Sequence, residues 1–339
     1  MELYKKIEYK KASDFLNQIT PWNSEFELSD FVFRGHSNSD YLLLPNAFRD
    51  KTHKNIQSIA RVYASKTSKY YKAVSKIGFG NLASQHASFE FHILRRFYKK
   101  ANSHGLYVPR SKFMSHSMER GYVPLASLLR LYKYESWLDR DFLEITSLAQ
   151  HYGLPTRLID WTYNPYTAAF FASNNSKLKK DGYISFWMIN VTLLSDVFDS
   201  STSDVRIYNP HYQWNDNARS QFGLFTYKVT SMNKTTRSLE TELLEKVLSD
   251  GVIPGDLKYK PVFTDYETLD ESIVRLLRSY NALKAKSIKP EDVLVQLTLP
   301  HSEVDELNKL LRKINISEGS IFPGYDGIVR DLMNKNSIR

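Results

Sequence analysis

The stretch Gln150-His151-Tyr152-Gly153-Leu154-Pro155-Thr156-Arg157-Leu158-Ile159-Asp160-Trp161-Thr162, followed by Asn164-Pro165 and Ala168-Ala169-Phe170-Phe171-Ala172, decides the reading of the fold. Gly153 and Pro155 restrict the backbone to a turn. Thr156 to Thr162 then reads as a buried strand. Asn164 is a favoured N-cap and Pro165 suits the first helical position, so a helix starts there and runs through Ala172. Side chains alternate along a strand, which puts Thr156, Leu158, Asp160 and Thr162 on one face and Arg157, Ile159 and Trp161 on the other. A charge buried in such a run needs a partner or a ligand. Arg157 and Asp160 therefore either form separate internal ion pairs or serve a site.

Outward from this stretch the pattern is mixed. Phe26 to Phe33 alternates and reads as a strand broken by Gly35, with turn chemistry in Ser37-Asn38-Ser39-Asp40. From about Ile56 to Leu148 the period is helical: Ile56 to Ile77, then a helix with Phe89, Ile93, Leu94 and Phe97 on one face, then Pro124 to Tyr134 and Trp137 to Leu148. Tyr183 to Val191, Phe222 to Val229 and Val293 to Leu299 read as strands; Leu239 to Leu248, Leu269 to Ala285 and Ser302 to Leu311 read as helices. Strands and helices do not alternate strictly, so the expected class is α+β with a mixed sheet. No composition shift marks a boundary, so one domain over residues 1–339 is expected, with residues 56–148 a mainly helical insertion.

The 339 residues suffice for a large core, and 42% apolar with 24% charged residues is a globular composition. The absence of Cys excludes disulfides and thiolate chemistry. Apolar runs such as Ile184 to Ile189 are far short of the roughly 18 residues that span a bilayer. The start, Met1-Glu-Leu-Tyr-Lys-Lys, has no apolar segment after its charges. A cytoplasmic protein without a membrane partner is expected. The net charge of +9 favours a polyanionic partner, with local clusters at Lys5-Lys6, Arg95-Arg96 with Lys99-Lys100, and Lys177 to Lys180.

Arg34, beside Gly35, can make bidentate contact with a phosphate or carboxylate while the glycine admits a ligand to the backbone. It can equally clamp an internal acid such as Asp160. His36 reads as a polar loop residue. His151 can orient a substrate or shuttle a proton, or be structural. Phosphate-loop, dinucleotide-fingerprint, nucleophile-elbow and zinc-protease motifs are missing, and the nine His are scattered, so no metal site is expected.

Phe33-Arg34-Gly35, Tyr41-Leu42, Pro45-x-x-Phe48-Arg49, the long stretch quoted above, Glu90 ahead of Arg96-Phe97, Arg219-x-Gln221-x-Gly223-x-Phe225 and Ile321-Phe322-Pro323-Gly324-Tyr325-Asp326-Gly327-Ile328 together resemble the FRG-domain family. That family's layout is in turn similar to NAD-dependent ADP-ribosyltransferases of the Arg-Ser-Glu class. The resemblance implies a mixed-sheet core of that kind and an enzyme that transfers ADP-ribose from NAD, its substrate, to a macromolecule. It also implies a toxin or defence role, with nucleic acid the favoured acceptor, protein the other, and a neutralising antitoxin as a further partner. The implied NAD-binding residues are Arg34 on the pyrophosphate, Gly35, Gln150, Tyr152, Thr156, Arg157 and Trp161. The slot for the family-type Gln-x-Glu is Gln221-Phe222-Gly223, which lacks the carboxylate. Asp160 or Asp326 would then stabilise the ribose cation, with His151 positioning a hydroxyl. A non-enzymatic nucleotide- or nucleic-acid-binding module and an NAD glycohydrolase stay open. Arg34, the segment Gln150 to Asp160 and Asp326 are expected to converge on one site.

Overall fold

Phe33-Arg34-Gly35 lies in the middle of a sheet, and the packing of that sheet explains most of the motif. The computed structural model describes residues 3–49, 83–118, 125–132, 136–174, 182–199, 203–231 and 267–333. The stretches 56–77 and 239–248, read as helices, and the lysines 177–180 lie outside the described residues. Contacts divide the chain into two compact units. The first comprises Met1–Leu43, Asp160–Thr226 and Leu269–Arg339; the second comprises Leu44–Ile159 and Tyr227–Thr268.

In chain order the strands are β1 Lys5–Glu8, β2 Phe31–His36, β3 Ser136–Trp137, β4 Leu158–Thr162, β5 Tyr183–Asn190, β6 Val205–Tyr208, β7 Gly223–Lys228, β8 Thr230–Ser231 and β9 Leu294–Pro300. The main helices are α1 Ala12–Gln18, α2 Ala83–Ser103, α3 Lys112–Met118, α4 Leu125–Leu131, α5 Leu143–His151, α6 Pro165–Ser173, α7 Val191–Asp199, α8 Leu269–Lys284, α9 Val304–Lys313 and α10 Tyr325–Met333. The class is α+β. The first unit is built on a mixed sheet of order β1-β9-β5-β2-β4-β7-β6. Strands β1 and β9 run parallel, while β9–β5, β5–β2 and β2–β4 are antiparallel.

Register separates the two faces of this sheet. Phe33 pairs with Met188 and Gly35 with Phe186, while Phe186 pairs with Leu297. Alternation therefore puts Phe31, Phe33, Ile184, Phe186, Met188, Val295, Leu297 and Leu299 on one face. They are buried under Ala12, Phe15 and Ile19 of α1 and its C-terminal end, Ala168 to Ala172 of α6, and Val304, Leu307 and Leu311 of α9. The opposite face carries Arg34, His36, Ser185, Trp187, Gln296 and Thr298 among apolar neighbours.

Strand β2 differs from its expected extent at both ends. It begins at Phe31, because Leu28–Asp30 forms a 3-10 turn, and it continues through Gly35 to His36. Gly35 does not break the strand: it pairs with Phe186 and lies against α6. A Cβ built there would stand 2.0 Å from the Ala168 carbonyl oxygen and 2.5 Å from the Ala172 amide nitrogen. The glycine and the two small residues one helical turn apart form a single packing device. The helix starts as expected, with Asn164 Oδ1 accepting from the amides of Tyr166 at 2.9 Å and Thr167 at 3.4 Å, and Pro165 in the first turn.

The second unit is mainly helical among its described residues, with a small β3–β8 sheet. Trp137 to Leu148 is not one helix. Ser136 and Trp137 pair with Ser231 and Thr230. A 3-10 turn capped by the Asp139 side chain follows, and α5 begins only at Leu143. An Asp that can bond its own downstream amide competes with helix continuation, which sets that boundary.

Candidate functional site

Strand β2 brings Arg34 to the polar-rich face of the first unit's sheet, where it meets β4. Its Nη1 donates to the backbone oxygen of Asp160 at 2.6 Å and lies 3.5 Å from Asp160 Oδ2. The Asp160 side chain is 55% exposed. Arg34 Nε donates to His36 Nε2 at 2.9 Å. A ring nitrogen that accepts carries no proton, so this bond requires the neutral Nδ1–H form of His36. Only 4% exposed at the end of β2, His36 is not the polar loop residue it was expected to be. The alternation Val32, Arg34, His36 held the signal, once Gly35 is read as part of the strand.

Around this pair the sheet face keeps further polar groups. Ser185 stands opposite His36 on one side and Thr298 on the other, and Trp187 stands opposite Arg34. Ser185 Oγ, Trp187 Nε1 and Thr298 Oγ1 are buried without a hydrogen-bond partner among the described residues. An unmade bond at such a group costs about 1–3 kcal/mol. Composition does not select these residues, but their i, i+2 spacing in apolar strands does. On β4, Trp161 is 2% exposed and donates through Nε1 to Thr226 Oγ1 at 2.9 Å, so its ring is a packed element of the sheet. Thr162 Oγ1 donates to the Gln221 carbonyl at 2.6 Å, tying the end of β4 to the turn before β7.

Asp326 is exposed in the first turn of α10. Among the described residues no hydrogen bond or ion pair joins its side chain to Arg34. Gly327 serves packing, because a Cβ there would stand 1.9 Å from the Phe322 carbonyl oxygen. Nearby, Arg312 holds Asp331 at 2.6 Å and Glu318 at 3.0 Å. Burial acts to raise the Asp331 carboxyl, yet bonds from Ser317 and Arg312 outweigh it and hold the group below its ordinary value.

The remaining expected site residues belong to the second unit. Gln150-His151-Tyr152-Gly153 is the C-terminus of α5. Gly153 takes φ +87°, its amide donates to the Gln150 carbonyl at 2.9 Å, and the Leu154 amide donates to the Ala149 carbonyl at 2.9 Å. This double closure needs a left-handed residue, which explains the glycine. Tyr152 is 74% exposed, and Thr156 Oγ1 donates to Gln150 Oε1. Arg157 is 1% exposed, and its Nε donates to Glu90 Oε2 at 2.9 Å. Its Nη1 donates to the Lys228 carbonyl at 2.9 Å and to Thr230 Oγ1 at 2.7 Å, while Trp137 Nε1 donates to the same Glu90 oxygen at 2.8 Å. These bonds direct the guanidinium inward, to protein partners. Of the residues expected to converge, Arg34 and Asp160 meet. No cluster of His, Asp and Glu able to hold a metal occurs among the described residues, and no described helix is long and apolar enough to cross a membrane.

Residues 29–181 match the sequence model of the FRG domain. No curated protein and no solved structure matches the chain.

Proposed function

The chain carries an FRG domain over residues 29–181, and from that premise we propose that it consumes NAD as an ADP-ribosyltransferase-like toxin or defence effector. The observation that supports this reading is Arg34 beside a half-exposed Asp160. At 3.5 Å their side-chain contact is loose, whereas a charge-assisted bond to a pyrophosphate oxygen closes to about 2.7–2.9 Å. A bound pyrophosphate therefore competes for Arg34 Nη1 and leaves the carboxylate available to the ribose. Neutral His36 fixes the guanidinium from the other side through Nε. As the bond from ribose C1 to nicotinamide breaks, nicotinamide keeps the electron pair and C1 gains positive charge. The Asp160 carboxylate stabilises that charge, and an acceptor nucleophile adds to C1 and gives up its proton. Asp326 is the second candidate for this acid. A net charge of +9 makes nucleic acid the favoured acceptor and an acidic protein the fitting antitoxin.

A second reading, a nucleotide-binding module without turnover, draws on one further observation: Nε and Nη1 of Arg34 already have protein acceptors. NAD consumption by the purified chain, with RNA, DNA or lysate protein supplied as acceptor, separates the two. Asp160→Asn should still bind NAD and lose turnover by about 10²-fold or more, and Arg34→Ala should lose NAD binding while staying folded. Full activity in Asp160→Asn moves the role to Asp326. No turnover by the wild type with any acceptor leaves the binding module.

A further inference from the structure

From Phe91 to Met118 the second unit carries Arg95, Arg96, Lys99, Lys100, Arg110 and Lys112 and no Asp or Glu. Helix α2 buries Phe91, Leu94, Tyr98 and Ala101. Arg96, Lys99 and Lys100, spaced i, i+3 and i+4, fall on the opposite side and are exposed. The helix then ends in a left-handed closure. Gly105 takes φ +71°, its amide donates to the Asn102 carbonyl at 3.0 Å, and the Leu106 amide donates to the Ala101 carbonyl at 3.0 Å. This stop turns out the next segment, where Leu106 is 63% and Tyr107 50% exposed. Arg110 and Lys112 follow, both exposed, at the start of α3.

Asp141 is occupied by the start of α3, accepting from Ser111 Oγ at 2.6 Å, the Lys112 amide at 3.2 Å and the Phe113 amide at 3.1 Å. Arg95 is also engaged, donating through Nε to the Ser117 carbonyl at 3.1 Å. Lys99, Lys100, Arg110 and Lys112 are exposed along this continuous stretch, together with the ring of Tyr107.

We infer that the surface formed by the end of α2, the Leu106-Tyr107 loop and the start of α3 binds single-stranded nucleic acid. Cations one helical turn apart, about 5–6 Å between Cβ atoms, follow a chain of phosphates. An exposed tyrosine offers a ring on which a base stacks whatever its identity. The aromatic favours an unpaired strand over a duplex, whose bases are already stacked, and over an acidic protein, which has no bases. The inference rests on the nucleic-acid acceptor proposed above, but binding is measured without NAD, so the two readings fail separately.

Fluorescence anisotropy of a short single-stranded oligonucleotide over a salt series tests it. Four phosphate contacts, from Lys99, Lys100, Arg110 and Lys112, give a slope of log affinity against log salt near about −2.8. Lys99→Ala/Lys100→Ala, which keeps good helix formers, should reduce the slope to about −1.4. Tyr107→Ala should weaken single-strand binding about fivefold and leave heparin binding unchanged. Acceptor-independent NAD consumption should survive in both variants. The inference is overturned if Lys99→Ala/Lys100→Ala and Lys99→Glu/Lys100→Glu both keep the wild-type affinity and slope. It is overturned equally if heparin, duplex, or vesicles of phosphatidylserine and phosphatidylcholine bind as tightly as the single strand and Tyr107→Ala changes nothing.

Discussion

One methyl group at Gly35 would collide with the backbone of α6, not with a movable side chain: the nearest atoms are the Ala168 oxygen and the Ala172 nitrogen. Gly35→Ala must push the helix off the sheet and should cost about 3 kcal/mol or more in denaturant unfolding. An unchanged midpoint would mean that α6 can retreat freely. Sequence alone suggested that this glycine admits a ligand, because a glycine next to an arginine looks the same whichever backbone approaches it. Arg157 shows the same limit. Its charge in an apolar strand announced a need for a partner, but Glu90, 67 positions away, could not be chosen without the fold. Glu90→Gln removes the carboxylate that pairs with the buried guanidinium and should destabilise the protein by about 3–5 kcal/mol. A loss below 1 kcal/mol would show that the Lys228 and Thr230 oxygens suffice.

Among elements, those with a strong local signal were legible. The helix opened by Asn164-Pro165, the apolar strands β5, β7 and β9, and the long helices α8 and α9 lie close to where the pattern put them. Elements fixed by pairing were not: β1 is Lys-Lys-Ile-Glu, four residues recognisable only from their register with Val295 to Thr298. Helix α2 permits a test at this scale. His92, buried on α2 and close to Arg95, is pushed down to about 4, by burial first and by the Arg95 charge second. Its folded-state value lies below the ordinary 6.5, so the unfolded chain takes up the proton first as pH falls. The stability linked to His92 is therefore complete above pH 6.5 and disappears as pH drops towards 4, on the order of 2–3 kcal/mol in all. Urea midpoints measured between pH 7 and pH 4 should fall more steeply for the wild type than for His92→Leu. Parallel curves for the two proteins would remove His92 as the cause.

At the scale of the whole molecule, the residues that carry the family resemblance and the residues that make a foldable body are different sets. The match ends at residue 181, yet of the seven strands in the large sheet only β2 and β4 lie within 29–181. Strand β5, which pairs with β2 from Phe31 to His36, begins at Tyr183, and its other neighbour β9 lies beyond residue 290. The second unit is interrupted in the same way, since Lys228 and Thr230, which accept from Arg157, come after the match. A two-stranded piece is marginal in water, and β2 would present an unpaired apolar edge. The motif is thus continuous in sequence while its packing partners are spread over the chain, which is why the site was legible as a list of residues and not as a geometry. A fragment of residues 29–181 should fail to unfold cooperatively and should bind an exposed-surface dye, whereas the full chain should show a cooperative transition. A sharp, reversible melt of that fragment would mean that α6 covers β2 and β4 well enough without the rest of the sheet.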